Sequence, residues 1–154
     1  FLRPEPLIMR GRGEVIERLG DKVIGRIAGK LVVLFNPGFG ISTAWAYGSL
    51  AASPQFYANE SEAEAELAEW KRGERPLESL LMNSFDEIIG RKYPSIPLLL
   101  ECIRKETGAT CLMSGSGSSC FAFCDGSAIA RIRSIISDKW GQSAFFEAAR
   151  IWDI

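Results

Sequence analysis

The chain has 154 residues, 47% of them hydrophobic and 24% charged, with a formal net charge of -1; its mass is 17.0 kDa and its sequence pI about 5.6. That is enough for one domain with a real core, and the balanced charge argues against nucleic acid or an acidic membrane surface as the partner. No apolar run approaches the roughly 20 residues needed to cross a bilayer, and four cysteines with no histidine exclude Ser/His/Asp and Cys/His nucleophilic chemistry.

Residues 7–18 read as two short β segments around Gly11-Arg12-Gly13, an edge hairpin or bulged strand. Leu31–Phe35 is continuous, β-branched and bounded by Gly29 and Pro37-Gly38, which predicts a central strand buried on both faces. After the loop Asn36–Gly40, Ser42 is placed to cap a short helix carrying Ala44, Trp45, Tyr47 and Leu50. Ser61–Trp70, acidic with a weak apolar side and ending near Gly73, predicts a surface helix or an ordered loop insert. The helical spacing of Leu77, Leu80, Leu81, Phe85, Ile88 and Ile89 predicts one helix stopped by Gly90. Ser95 is read as the cap of the next helix, with Pro97 in its first turn, Ile96, Leu99, Leu100 and Ile103 on one face, and Gly108 at its end.

Thr110–Met113 and Cys120–Cys124 are two β-prone runs separated by Ser114–Ser119 and expected to pair or neighbour each other. A helix from Asp125 or Ser127 to Gly141 follows, then a strand over Ala144–Ile151. Without a regular βαβ repeat, this order predicts an α+β domain, a mostly antiparallel sheet with helices packed on one face. The cysteines Cys102, Cys111, Cys120 and Cys124 lack the Cys-x2-Cys spacing of structural zinc sites. Cys120 and Cys124 would lie about 13 Å apart along a strand, too far for a disulfide, so reduced, cytoplasmic thiols are expected.

Three stretches bear on chemistry. In Ser114–Ser119, the glycines Gly115 and Gly117 let the backbone approach a ligand, and the serines, Ser116 and Ser118 among them, add hydroxyl donors that suit phosphate oxygens. A plain Gly/Ser turn between strands is the simpler reading of the string alone, and it matches neither a Walker loop nor Gly-x-Gly-x-x-Gly. Asn36–Thr43 joins a strand to a helix start, where free amides and the hydroxyls of Ser42 and Thr43 suit an anionic or sugar-like group; an ordinary capped turn explains it equally well. Tyr47 lies one turn beyond Thr43 and has a ring able to stack, though alone it reads as core. Arg10 and Arg12 flank Gly11 and could meet phosphate, but they read more simply as edge-strand charges that discourage aggregation.

Taken in order, these segments resemble the carboxy-terminal half of the GHMP kinases, which include galactokinase, homoserine kinase, mevalonate kinase and phosphomevalonate kinase. Met9-Arg10-Gly11-Arg12-Gly13-Glu14 is similar to a Gly-x-Gly-Glu strand pair, and Val33–Tyr47 to a strand, Pro-Gly turn and Ser/Thr-led helix. Leu80–Asp86 resembles an Asn-Asp-Leu/Phe-Glu helix with Ser84 in place of the usual aspartate. Gly108-Ala109, Met113–Ser118 and Phe121 resemble the family's third glycine-rich motif most closely.

The resemblance implies a ferredoxin-like carboxy-terminal domain over residues 1–154. It also implies a share in a cytoplasmic transferase that moves the ATP γ-phosphoryl, with Mg2+, to a small-molecule hydroxyl. Within the family the likeness is to the branch acting on a cytidine diphosphate substrate, whose 2-hydroxyl is phosphorylated in non-mevalonate isoprenoid biosynthesis; a homoserine or phosphomevalonate kinase half, or a non-catalytic α+β ligand-binding domain, is the alternative. Gly115, Ser116, Gly117 and Ser118 are then expected at the nucleotide, and Thr43 and Tyr47 at the substrate, Tyr47 against its cytosine ring. No catalytic residue is assigned to this chain: the family's ATP loop, lysine and aspartate belong to an amino-terminal half, which becomes the expected partner. Phe1-Leu2 resembles the end of the strand that follows the family's catalytic Gly-Ser-Asp segment. With Phe1 rather than Met at its start, the chain is read as part of a longer protein, inactive in phosphoryl transfer by itself.

Overall fold

The computed structural model describes residues 7–11 and 14–151; the expectations for Phe1-Leu2, Arg12 and Gly13 lie outside the described residues. The chain opens with the antiparallel hairpin β1 (Leu7–Arg10) and β2 (Val15–Arg18), in which Arg10 faces Val15. A one-turn helix α1 (Asp21–Ile24) leads to β3 (Leu31–Asn36), and α2 (Thr43–Ala51) and α3 (Glu60–Arg72) follow. Next come α4 (Asp86–Lys92), α5 (Ser95–Thr107), β4 (Thr110–Met113), β5 (Cys120–Phe123), α6 (Ile129–Trp140) and β6 (Phe145–Arg150). The second sheet has the order β4-β5-β3-β6, antiparallel at every pairing. The α+β architecture predicted from the sequence is therefore the observed one. No helix among the described residues is long and apolar enough to cross a membrane.

One face of this sheet makes the main core. Val33 and Phe35 of β3, Cys111 and Met113 of β4, and Cys120 and Ala122 of β5 are buried against Leu99, Leu100 and Ile103 of α5 and Ile132, Ile135 and Ile136 of α6. Each such aliphatic side chain contributes about 1.5–3 kcal/mol on leaving water. Strand β3 is central, as predicted, but is not buried on both faces: Leu34 is exposed between two fully buried neighbours. The helices cover only the face to which Val33 and Phe35 point, so burial along β3 alternates with the period of the pleat.

A smaller core of Val23, Ile27 and Trp70, with Leu67, Leu77 and Leu80 around it, joins α1, α3 and the segment after α3. The charged face of α3 is tied to the hairpin. Arg10 pairs with Glu17 and Glu64, and Lys71 of α3 pairs with Glu17. Arg10 is thus committed to ion pairs. Gly73, at φ +86°, ends α3 where the sequence placed its stop.

The single helix predicted over Leu77–Ile89 is not formed. Leu77–Leu80 is a 3-10 turn, Leu81–Ser84 is irregular, and only Asp86 onward is α-helical. Two cores claim its apolar residues: Leu77 and Leu80 go to the small one, and Phe85, Ile88 and Ile89 to the main one. Asn83 sits at the break, where its side-chain oxygen accepts from the Phe85 N–H at 3.0 Å and offers the backbone an alternative to helix.

Gly90 does not stop this helix either. It lies inside α4, where an added Cβ would sit 3.3 Å from Pro97 Cγ, so it serves the close approach of α4 and α5. Ser95 is the first residue of α5 rather than a side-chain cap; Pro94 precedes it, and no side chain caps that end among the described residues.

Candidate functional site

Loop Ser114–Ser119 joins β4 to β5 and is closed by Ser114 N–H donating to Ser119 O at 2.8 Å and Gly117 N–H to Ser114 O at 3.0 Å. Gly115 and Gly117 adopt φ +54° and +78°, a region that glycine enters without steric cost. A Cβ at Gly117 would stand 2.6 Å from Met113 Sδ and 3.0 Å from Ile41 Cδ1. Among the described residues, nothing accepts a hydrogen bond from the backbone N–H of Gly115, Ser116 or Ser118. The loop therefore retains donors beyond those its own turn consumes, which suits an anion.

Three side chains hold this loop from outside. Asn36, the last residue of β3, donates from Nδ2 to Ser118 Oγ and Ser119 Oγ, both at 3.1 Å, while its Oδ1 accepts from Gly38 N–H at 2.7 Å. Asn83 donates from Nδ2 to Met113 O and Gly115 O, both at 2.9 Å. Thr43, the first residue of α2, has Oγ1 3.2 Å from Ser116 Oγ. Ser118 is buried, with its hydroxyl donating to Phe39 O. The loop, the Asn36–Gly40 turn and the start of α2 thus form one polar corner at an end of the sheet.

The sequence-derived candidates are brought together here in part. Gly115, Ser116, Gly117 and Ser118 share the corner with Thr43 through the Ser116 contact. Ser42 spends its hydroxyl on capping α2, accepting from Trp45 N–H at 3.3 Å. Tyr47, one turn beyond Thr43, is not core: it is 57% exposed and meets Phe85 edge-on, with ring centroids 5.0 Å apart. One side of its ring is supported and much of the rest is open to solvent, the arrangement a stacking residue needs.

Sequence reasoning missed Asn36 and Asn83 as site residues. Both stood in motifs it had marked. The available signal was an amide side chain at a strand end before Pro-Gly and another inside a supposed helix, where asparagine is a poor helix former.

Asp86, at the start of α4, has its carboxyl pushed up to about 6 by burial, with the Arg104 charge opposing the shift. Burial also drives the Cys111 thiol to about 11 and the Cys120 thiol to about 12. Both stay protonated near neutrality and are poor nucleophiles. All four cysteines are free thiols.

The family profile described as GHMP kinases C terminal matches residues 63–142. The chain belongs to this family of kinase carboxy-terminal domains.

Its relatives are more specific. The chain is 32% identical over 122 residues to 4-diphosphocytidyl-2-C-methyl-D-erythritol kinase of Nitratidesulfovibrio vulgaris strain DP4, a match covering 79% of this chain and 41% of that protein. It is also 32% identical over 121 residues to the protein of the same name from Pseudothermotoga lettingae, covering 76% and 43%. A crystal structure of 4-(cytidine 5'-diphospho)-2C-methyl-D-erythritol kinase superposes with a TM-score of 0.64 at 26% identity, covering 92% of this chain and 48% of that one. The chain thus spans under half the length of the relatives it matches.

Proposed function

We propose that this chain forms residues 1–154 of the carboxy-terminal half of a cytoplasmic small-molecule kinase. The complete enzyme transfers the ATP γ-phosphoryl to the 2-hydroxyl of 4-diphosphocytidyl-2-C-methyl-D-erythritol, a step of non-mevalonate isoprenoid biosynthesis. The observation that carries the reading is the Thr43–Ser116 contact, which ties the helix bearing Tyr47 to the glycine/serine loop. One rigid corner then addresses both a phosphate chain and a flat base. The names of the relatives support the cytidine substrate over homoserine or phosphomevalonate.

In this reading, the loop residues Gly115, Ser116, Gly117 and Ser118 meet nucleotide phosphate oxygens, through the unspent N–H groups of Gly115, Ser116 and Ser118, or support the phosphate loop of the other half. Positive φ at Gly115 and Gly117 fits close backbone approach to such a group. Thr43 and Tyr47 take the acceptor, Tyr47 stacking on cytosine. ATP supplies the phosphoryl group, and Mg2+ neutralises its charge. We assign Mg2+, the general base and the catalytic lysine to the amino-terminal half, as the resemblance to the family implies. This chain's part is to position and to select.

The test compares two preparations, the 154-residue chain alone and the chain joined to its amino-terminal half. Each is assayed with ATP and Mg2+ against 4-diphosphocytidyl-2-C-methyl-D-erythritol, homoserine and phosphomevalonate. The expected result is turnover of the cytidine compound by the joined protein only. Turnover by the chain alone, or preference for another acceptor, would overturn the reading.

A further inference from the structure

We infer that Asn83 is a positioning residue that aims the backbone N–H of Ser116 out of the glycine/serine loop. The side-chain amide is fixed at three points: Oδ1 accepts from Phe85 N–H at 3.0 Å, and Nδ2 donates to Met113 O and Gly115 O at 2.9 Å each. These contacts decide its orientation. A flipped amide would set Oδ1 against two carbonyls and the NH2 against an N–H, so all three would turn repulsive.

The consequence for the loop follows from peptide geometry. The Gly115–Ser116 peptide is trans, and in a trans peptide C=O and N–H point in opposite directions. Holding Gly115 O on Asn83 therefore sends Ser116 N–H away from Asn83. Holding Met113 O does the same for Ser114 N–H, which closes the loop on Ser119 O. Ser116 N–H meets no acceptor among the described residues, while the Ser116 hydroxyl is held by Thr43.

A loop with two glycines at positive φ has much backbone entropy to lose. Asn83 ties its entry and Asn36 its exit, so much of that cost is met by folding rather than by ligand binding. That Ser116 N–H meets phosphate rests on the function proposed above; that Asn83 orients it rests on the geometry alone.

The two are separated by experiment. Asn83→Asp keeps an acceptor for Phe85 N–H but removes both donations and faces two carbonyls with a carboxylate. In the joined enzyme this variant is expected to lower kcat by roughly 10-fold to 100-fold, as a misplaced contact does, with KM for the cytidine acceptor unchanged because Tyr47 is untouched. An unchanged kcat with an active parent enzyme would sink the inference and leave the proposed function standing.

In the 154-residue chain, NMR of the unmodified protein should show two inequivalent Asn83 Nδ2 protons exchanging slowly with solvent. Exchange at the rate of a free asparagine would refute the clamp whether or not the enzyme is a kinase and whether or not Asn83→Asp folds. Slow exchange with an inactive joined enzyme would uphold the clamp and remove the kinase reading.

Discussion

At one end of the four-stranded sheet, Gly29, Lys30, Gly108, Asp125, Gly126 and Arg150 help line a cavity of about 480 Å3. At the other end lie the Asn36–Gly40 turn and the Ser114–Ser119 loop. Both ends are rich in glycine and polar groups, and the first is the more obviously hollow. Several of its groups, however, are spent on closing the fold. Lys30 pairs with Glu78 at 2.9 Å, Arg150 donates to Gly29 O at 2.9 Å, Gly29 and Ile151 exchange bonds with the neighbouring backbone, and Gly108 ends α5 at φ +68°. The loop end instead spends two asparagines to hold a backbone whose remaining donors are left over. Leftover donors held in place by side chains from other elements, more than empty volume, mark a surface arranged for an anion.

The largest expected effect comes from a positive-φ glycine at each end. Gly117→Val forces a β-branched residue into φ +78° and drives its Cβ against Met113 Sδ and Ile41 Cδ1, both core-side atoms. Strain and overpacking together should cost about 2–4 kcal/mol in urea unfolding, and phosphoryl transfer by the joined enzyme should be lost. Gly108→Ala, also at positive φ, meets no heavy atom within 4 Å. It should cost only about 1 kcal/mol and leave transfer intact. Equal costs at the two positions would mean that the loop end is no more tightly built than the far end.

Tyr47→Ala comes next. Because the ring is 57% exposed and meets Phe85 edge-on, its loss should barely move the melting temperature. Losing an aromatic stack should weaken binding of the cytidine acceptor by about 1–3 kcal/mol, by analogy with stacked bases, read as a raised KM with ATP binding unchanged. A large fall in melting temperature with unaltered KM would return Tyr47 to a packing role and remove it from the loop-end site.

How much of this was legible beforehand follows from what local sequence encodes. The turn at Ser114–Ser119, the cap at Ser42 and the terminators Gly73 and Gly108 were readable because each depends on its own backbone and immediate neighbours. The break inside Leu77–Ile89 was not, since helical spacing cannot show that two cores divide the apolar residues between them. The one-sided burial of β3 escaped for a related reason. A continuous apolar run fits a strand covered on both faces, and only the packing of α5 and α6 against the Val33 and Phe35 face shows Leu34 exposed. The asparagine clamps join residues 30 and more than 80 positions apart, and only tertiary structure can bring such pairs together.

A smaller effect is expected from Asp86, whose carboxyl titrates near 6 in the folded protein against an ordinary value of 3.8. Between those values the folded state holds a proton that the unfolded state has released. Stability should therefore fall as pH rises from about 4 to about 6 and be flat above. Asp86→Asn should abolish that slope and raise stability at pH 7 by on the order of 1–2 kcal/mol, a discount for the partial exposure of the site and the favourable Arg104 charge. Urea unfolding from pH 4 to pH 8 measures it. A wild-type stability that rises across this window would show that Asp86 is ionised in place and that the attraction of the Arg104 charge dominates.

The smallest effect belongs to the far end, at the Lys30–Glu78 pair. Burial pushes the Glu78 carboxyl up, but its hydrogen bonds from Lys30 and its own backbone amide outweigh that, and the net shift is downward from 4.5. A lowered folded value means that the pair stabilises above the ordinary glutamate range and that this contribution fades as pH falls through the folded value. Both side chains keep about a third of their surface in water, at 35% and 29%, so Coulomb attraction is weakened by solvent and salt. Glu78→Gln should thus cost less than about 1 kcal/mol at pH 7. The difference should shrink in high salt, where ions screen the pair, and disappear in acid, where the wild-type carboxyl is itself neutral. Phosphoryl transfer by the joined enzyme should not change, because the described residues lining this end include none of Ser114–Ser119. If Glu78→Gln instead impaired transfer at unchanged stability, the roomier end of the sheet would have to be counted as part of the site, and the distinction between the two ends would fail.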